Sequence, residues 1–487
     1  MQPELRENSY PSLPALPHHL LTSNDALSDD EIAEICETVA AGHARVADLD
    51  VTLAALEGRV KVLRQKRNDV LEHVHRGTML LSVLRRLPAD ILGEVFAWAV
   101  LFSYRDARGS TWKWMERNPW ALSHVCSRWR AIAISLPLLW SHIESGVPPR
   151  MLAALIARSV PCSMTIELRS SDVEALQVLV QHSHRWGALI LHITAQMLPV
   201  LMRVRGLLPV LRQLKCWNFY HTDTDICDAF ETAPMLTDIT LTASKLQVLP
   251  WNQLTRLRLF TRNSDGLYPL GSTQNLVKLS LLNPSESFIW ALASVAIELP
   301  RLRALLVIDG RILDYMVLPA LEDIWVVRYC LRTIPLVARS ACRLRTFGNR
   351  RNFNPADILA ILDGVPTLVE VVGCLGDASL LARLTIPSHP VPDFQPVAPE
   401  LRALSLQVTL TREVCSELIK VVRSRHRSTM CPDLSLSLIN VATDDGNVPP
   451  HAVQDMLSTL QQEGLHLEWL TTQATERYLN ELEGGYP

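Results

Sequence analysis

The sequence has little of what marks nucleotide-binding enzymes, metal centres and membrane spans. Its 19 glycines are scattered, and it has no glycine-rich phosphate loop, nucleophile elbow or H-E-x-x-H motif. The ten cysteines form no C-x-x-C pair, which argues against zinc knuckles and a secreted disulfide framework. The longest apolar run, 288–297, is too short to span a bilayer. These absences predict an intracellular protein without cofactor or metal.

The chain also lacks a large excess of positive or negative charge. The formal net charge is −3 over 487 residues, so nothing draws the whole chain toward nucleic acid or an anionic membrane. The N-terminus does not have the basic and then apolar run of a signal peptide. A hydrophobic content of 48% with 20% charged residues is typical of a globular chain with a large core. We expect a cytoplasmic or nuclear location, or both.

The first part of the chain predicts an arm and a coiled coil. Residues 1–27 carry four prolines among polar residues, which is typical of a flexible arm. Residues 28–77 repeat apolar side chains in steps of three and four over six heptads, interrupted by Gly42 and Arg67. Two alternatives remain open, a parallel homodimer or a helix that folds back on the chain's own body. The basic cluster 61–67 lies inside the heptads, which favours a solvated face over a DNA-contacting region.

Residues 87–140 predict a small helical domain rich in tryptophan. Pro88 suits the first turn of a helix, and a second helix is predicted from Asn118-Pro119 to Leu136. The stretch contains six of the chain's 12 tryptophans. A small domain with surplus large apolar side chains often offers some of them to a partner. Periodicity alone is equally typical of a helical hairpin packed on the rest of the chain.

The stretch LPADILGEVF, followed by ALSHVCSRWRAIAISLPLLWSHI, resembles the F-box-like domain of fungal, basidiomycete-type proteins. The shared features are an initial Leu-Pro, an acidic residue, two aliphatic residues, a Val-Phe pair, a Val-Cys-x-x-Trp-Arg helix and a terminal Leu-Trp. The sequence departs from the shortest F-boxes in its longer middle segment, residues 103–117. The resemblance implies docking to a Skp-type adaptor, and through it to a cullin. The residues it implicates are Leu87, Pro88, Ile91, Leu92, Val95, Phe96, Val125, Trp129, Leu136 and Trp140.

Residues 147–487 contain a loose repeat in which a Pro or Ala precedes Leu-x-x-Leu-x-Leu or a near relative. The leading leucines are Leu211, Leu236, Leu254, Leu276, Leu302, Leu321, Leu344, Leu368 and Leu401. Most intervals between them fall near the roughly 20–29 residues of a leucine-rich repeat. Strand–helix alternation at this period predicts a parallel sheet lining a concave face, with Arg412–Arg425 as the clearest helix. An ordinary α/β domain is the alternative. The resemblance implies that such repeats select a substrate protein.

Two patterns in the repeat region suggest ligand sites. Arg256, Arg258, Arg301 and Arg303 lie in strand-like patterns and predict a basic face for acidic or phosphorylated peptides, although a merely soluble face explains them equally. His221, Asp223 and Asp225 alternate as metal ligands would in a strand. A polar loop that caps the following helix is the simpler interpretation.

The sequence therefore predicts an α + α/β chain with a coiled-coil helix (28–77), an F-box-like domain (78–146) and an irregular leucine-rich-repeat solenoid (147–487). The expected function is that of a non-catalytic substrate receptor in a Skp–cullin–F-box type ubiquitin ligase. A ubiquitin-independent coiled-coil and repeat scaffold is the alternative, and an unrecognised hydrolase or transferase lacks any motif. The identity of the substrate does not follow from the sequence.

Overall fold

The computed structural model describes residues 16, 21, 26–81, 83–106, 119–169, 171–218, 228–243, 248–261, 270–282, 297–348, 354–387, 394–410, 412–426, 435–443 and 467–470. Most of the predicted arm therefore lies outside the described residues. The chain divides into two compact units, Met1–Leu92 and Gly93–Pro487. None of the described helices combines the length and the apolar run needed to cross a membrane.

The described part of the chain combines α-helices with a parallel sheet, so the predicted combination of helix and α/β structure is confirmed at that level. The helices are α1 (Asp29–Leu80), α2 (Ala89–Asp106), α3 (Pro119–Val125), α4 (Ser127–Ile134), α5 (Pro149–Arg158), α6 (Val173–Leu179), α7 (Leu198–Leu201), α8 (Thr333–Ser340), α9 (Pro355–Gly364), α10 (Ala378–Leu384) and α11 (Arg412–His426). The last of these confirms the helix predicted at Arg412–Arg425.

Fourteen of the described strands form one parallel sheet in chain order, and β8 and β10 form a separate parallel pair between β7 and β11. The strands are β1 (His142–Ile143), β2 (Met164–Leu168), β3 (Trp186–Ile193), β4 (Gln213–Asn218), β5 (Asp238–Ala243), β6 (Arg256–Thr261), β7 (Lys278–Leu282), β8 (Ile297–Glu298), β9 (Ala304–Asp309), β10 (Met316–Val317), β11 (Asp323–Arg328), β12 (Thr346–Gly348), β13 (Glu370–Gly376), β14 (Ala403–Leu410), β15 (Ser435–Thr443) and β16 (Leu467–Leu470).

Helix α1 is 52 residues long and begins with a capping box at Ser28. The Ser28 hydroxyl accepts a hydrogen bond from the Glu31 N–H, while the Ser28 N–H donates to the Glu31 carboxylate at 2.9 Å. This exchange satisfies two donors that a helix start otherwise leaves without partners. None of the described residues of α1 is buried.

The leading leucines of the predicted repeat mark the strands of the sheet. Each of the nine lies two residues before the first residue of a strand, from Leu211 before β4 to Leu401 before β14. All nine are fully buried. Burying one leucine side chain is worth about 1.5–3 kcal/mol, so the repeat fixes where the chain enters the core.

Neighbouring strands pair in a register that aligns the next apolar residue of every repeat. These residues form one buried row across the sheet: Ile166, Leu189, Leu214, Ile239, Leu257, Leu279, Leu305, Ile324, Phe347, Val371 and Leu404. Because side chains alternate between the faces of a strand, the residues between these leucines lie on the second face of the sheet.

Polar side chains link several of the described repeats to the one before. The Arg185 guanidinium donates to the carbonyl oxygens of Cys162 and Ile156, and the Arg339 guanidinium donates to those of Met316 and Leu313. The Arg185–Cys162 and Arg339–Met316 pairs each span 23 residues, as does the Asn275–Asn252 pair. This 23-residue separation falls within the range of intervals between the leading leucines, so each bond joins neighbouring units.

Within the described residues, the predicted strand–helix alternation is present in two parts of the sheet. Described α-helices lie between β1 and β4 and between β11 and β15. Between β5 and β7 the described connections contain short 3-10 turns, Trp251–Gln253 and Leu270–Ser272. The intervals before Leu254 and Leu276 are among the shorter ones in the repeat, 18 and 22 residues, which leaves little chain for a helix between two strands.

Candidate functional site

In the first unit, the predicted docking residues differ sharply in burial. Leu87 is half-buried, whereas Pro88 and Ile91 are exposed. Leu92 is fully buried. Pro88 immediately precedes α2, and its carbonyl oxygen accepts the hydrogen bond of the Leu92 N–H. Pro88 therefore lies at the start of the helix, and Ile91 in the first turn is exposed.

In the second unit, α2 presents a buried face and an exposed apolar face. Phe96 and Val100, four residues apart, are buried, and the Phe96 ring lies 4.8 Å from the ring of Trp129. Val95 and Trp98 are 44% and 58% exposed. Residues three and four apart share a helix face, so the exposed side chains form a stripe separate from the buried one.

The second predicted helix is two helices, and this part of the prediction is wrong. α3 ends at Val125, and α4 begins at Ser127 after Cys126, whose φ of −160° is extended. The Cys126 Sγ accepts a hydrogen bond from the Trp129 N–H at 3.4 Å and caps α4. In the sequence, apolar residues continue in steps of three and four across the break, from Leu122 and Val125 to Trp129 and Ile132, so periodicity predicted one helix. Asn118, predicted as a cap, lies outside the described residues.

Trp140 is buried and is held by a hydrogen bond, an aromatic contact and a cation–π contact. It is fully buried, and its Nε1–H donates to the carbonyl oxygen of Ala133 at 2.7 Å. Its ring meets the Trp120 ring edge to face, with 5.0 Å between centroids. The Arg158 guanidinium lies 4.4 Å from the Trp140 centroid and 4.6 Å from that of Trp120. Since Arg158 ends α5, this contact ties α3 and the Leu-Leu-Trp turn to the first helix of the repeat region.

The remaining docking residues divide in the same way. Leu136 and Trp129 are half-buried, and a Cβ placed on Gly93 would lie 3.2 Å from Leu136 Cδ1, so α2 approaches this segment closely. Val125, at the end of α3, is exposed. Ile134 and Leu138, which the resemblance did not single out, are exposed as well. Exposed and buried residues of this segment can be distinguished only from the tertiary structure.

The second face of the sheet carries the predicted basic residues of β6. Arg256 pairs with the Asp238 carboxylate at 3.2 Å. Arg258 is buried, so the expectation that it faces solvent is wrong. Arg301 and Arg303 precede β9 and do not lie in a strand, which corrects the second part of that prediction. Arg301 donates to Asn275, and Arg303 lies 3.9 Å from Glu322. Two of the four arginines therefore lie in β6, and the other two lie in the segment before β9.

Sequence reasoning missed Lys215, which shares a row with Arg258 on this face. Lys215, Thr240 and Arg258 are aligned on adjacent strands. Burial lowers the pKa of Lys215, and the nearby Arg258 charge lowers it further. The Thr240 hydroxyl is buried and forms no hydrogen bond with the described residues. In the sequence, Lys215 lies between the apolar residues Leu214 and Cys216. This alternation predicts that Lys215 faces the opposite side of the strand from its two neighbours.

Neither metal ligands nor a reactive pocket emerge from the described residues. His221, Asp223 and Asp225 lie outside them. No group of three or more His, Cys, Asp or Glu side chains within the described ranges is arranged to hold a metal. Burial lowers the pKa of His142 to about 4, so this imidazole is neutral at pH 7. A pocket of about 490 Å³ is lined by 249–253, Ser272 and Asn275, which include no titratable side chain.

A scan of protein-family models finds no match to this chain, and a search of curated proteins finds none either.

Proposed function

We propose that this chain is the substrate-receptor subunit of a Skp–cullin–F-box type ubiquitin ligase and performs no covalent chemistry itself. In this proposal, residues 87–140 form an F-box-like domain that docks on a Skp-type adaptor. The repeats that follow form a leucine-rich-repeat solenoid that presents a substrate protein. α1 forms a coiled-coil segment. The ligase gains its rate by holding the lysine of the substrate near a charged ubiquitin-conjugating enzyme.

The observation that carries the proposal is the exposed apolar surface of the second unit's N-terminal helices. Val95 and Trp98 face water on a helix whose other side is buried. Val125, Ile134 and Leu138 are also exposed. By contrast, Ile132 near Ile134 and Leu139 next to Leu138 are buried. Several exposed large apolar side chains within one short segment are typical of a protein-docking surface. They lie within the segment that resembles an F-box.

Burial assigns different roles to the residues that the resemblance implicates. Leu92, Phe96 and Trp140 are buried and would support the helices. Ile91, Val95 and Val125 are exposed and would contact the adaptor. Leu87, Trp129 and Leu136 are half-buried, so burial alone assigns them to neither group. Substitution of a contact residue should therefore affect binding without affecting folding.

The repeat proposal rests on the register of the sheet. Successive units bury equivalent leucines and pair in parallel, and side chains join units about 20–26 residues apart. Stacked repeats of this length are typical of leucine-rich-repeat proteins, although the consensus asparagine is mostly missing here. The half-buried aromatic side chains Trp217 and Phe260 lie on the second face with 5.1 Å between their ring centroids, and they would then face the substrate.

Capture of a purified Skp-type adaptor by the full chain tests the docking role. We expect Val95→Glu to weaken capture about 10–100-fold, because a carboxylate would be buried in an apolar interface. Val178→Glu is the matched control, because Val178 is a helical valine of the repeat region with 40% exposure against 44% for Val95. We expect it to bind like the wild type.

Equal binding of both variants would contradict the assignment of Val95 to the interface. If the folded wild-type chain captures no adaptor at all, the F-box-like proposal fails. A scaffold that uses the coiled coil and the repeats without a cullin would then take its place.

A further inference from the structure

The a and d positions of the heptads form an apolar seam along α1, and the described side chains of this seam are not buried. The helix is 52 residues long, which corresponds to about 78 Å at 1.5 Å per residue. Helices in proteins owe most of their stability to the packing of an apolar face. None of the described α1 side chains is buried, and Val46, Leu49, Leu53 and Leu56 are each at least 40% exposed. The helix therefore has a seam without the burial that would stabilise it.

The heptad positions of the seam are those of a two-stranded parallel coiled coil. The a positions are Ile32, Val39, Val46, Leu53, Val60, Arg67 and Val74, and the d positions are Ile35, Gly42, Leu49, Leu56, Leu63, Val70 and Gly77. Five of the seven a residues are β-branched, and leucine occupies the three central d positions. This distribution favours two parallel strands, and a single charged a residue such as Arg67 fixes the register at a cost in stability.

We propose that α1 pairs in parallel and in register with α1 of a second copy of this chain. The a, d, e and g positions of six heptads give about 24 residues per copy, within the range of about 20–30 residues per side of a standard-size interface. The proposal deepens the coiled-coil part of the proposed function. It does not depend on adaptor binding, so each can fail without the other.

Charges beside the seam favour the parallel over the antiparallel arrangement. In a parallel pair, Arg45 at g faces Asp50 at e of the second copy. In an antiparallel pair with full overlap, Arg45 faces Lys66 and Asp50 faces Glu57 of the second copy, so both contacts are repulsive. The parallel arrangement has one repulsive contact of this kind, between Arg59 and Arg64.

Sedimentation of the full chain over a range of concentrations tests the pairing. We expect the wild type to be a dimer at micromolar concentration. We expect Val46→Gln/Val60→Gln to raise the dimer dissociation constant about 100-fold or more, because four seam side chains per dimer become polar. Val51→Gln/Val62→Gln is the control, with the same substitutions at f and c positions. Val46 and Val62 are 55% and 54% exposed, so only the heptad position separates them.

Two glycines provide a gain-of-function test. A Cβ on Gly42 or Gly58 would meet no atom within 4 Å. Gly42→Leu and Gly58→Leu should raise helix propensity equally, but only the first adds a d-position leucine. We expect at least tenfold tighter dimers from Gly42→Leu alone. A monomeric wild type, or equal effects of the seam and control variants, would overturn the proposal.

Disulfide trapping tests the orientation. In a Cys36→Ser background, Leu49→Cys should form a disulfide-linked dimer, because in-register d positions lie opposite each other. In the antiparallel pair two copies of residue 49 would be about 16 Å apart, and a mixture of Leu49→Cys and Val60→Cys chains would cross-link instead. Cross-linking of the mixture without the homodimer would overturn the parallel orientation.

Discussion

Replacing Trp140 with alanine is expected to lower the free energy of unfolding by about 3–5 kcal/mol, the range for large aromatic side chains in a core. The side chain is fully buried and packs edge to face on Trp120, and its indole N–H is bonded to the Ala133 carbonyl oxygen. Its loss would leave a cavity and remove one of the donors to the Ala133 carbonyl oxygen. The Arg158 guanidinium would also lose one of the two rings that enclose it.

Urea denaturation followed by circular dichroism measures this effect, with Trp98→Ala as the control. Trp98 is also a tryptophan of this region but is 58% exposed, so we expect a loss below about 1 kcal/mol. Similar losses for the two variants would contradict the division between supporting and contacting side chains. A loss below about 1 kcal/mol for Trp140→Ala would contradict its place in the core.

Replacing Arg425 with alanine is expected to cost at least about 3 kcal/mol of unfolding free energy, since hydrogen bonds to charged groups are worth about 1.5–3 kcal/mol each. Arg425 is fully buried near the end of α11. Its guanidinium donates to the carbonyl oxygens of Leu384, Ala398 and Val397 at 3.2, 3.3 and 2.7 Å. Alanine would leave these acceptors buried without that donor.

Arg425→Lys should recover only part of the loss, because an ammonium group lacks the planar fork that reaches three carbonyls. Arg423→Ala is the control on the same helix, because Arg423 is exposed. We expect a change within about 0.5 kcal/mol for this control in the same urea measurement. A full recovery by lysine would contradict the role of the guanidinium geometry.

Much of the fold follows from local patterns in the sequence. The leading leucines predicted nine strand starts. The reason is that the apolar residues after each of them alternate with other residues, and this period of two is typical of a strand with one buried face. The heptad pattern of residues 28–77 predicted a long helix, which the structure shows as α1. Strand order could also be inferred, because successive repeats stack on their neighbours.

What the sequence did not predict depends on contacts between distant residues. The break at Cys126 is invisible to periodicity, because the apolar step continues across the cap. The enclosure of Arg158 by two tryptophans and the carbonyl contacts of Arg425 join segments 18 to 41 residues apart. The burial of Arg258 likewise depends on the residues that surround its strand.

The candidate site was predicted in part. The resemblance selected the segment 87–140, but it placed exposed and buried residues in one group. Burial separates them, with Val95 on the exposed side and Phe96, its neighbour, in the core. Trp98, Ile134 and Leu138 were missed as contact candidates, because an apolar residue on a helix gives no sign of which face will be covered.

The most direct test of the central claim is a calorimetric titration of a purified Skp-type adaptor into the full chain. The account predicts saturable binding with one adaptor per chain and a dissociation constant in the micromolar range or below, and it predicts that Val95→Glu weakens this binding while Val178→Glu leaves it unchanged. A folded chain that shows no binding at adaptor concentrations of about 100 µM would contradict it.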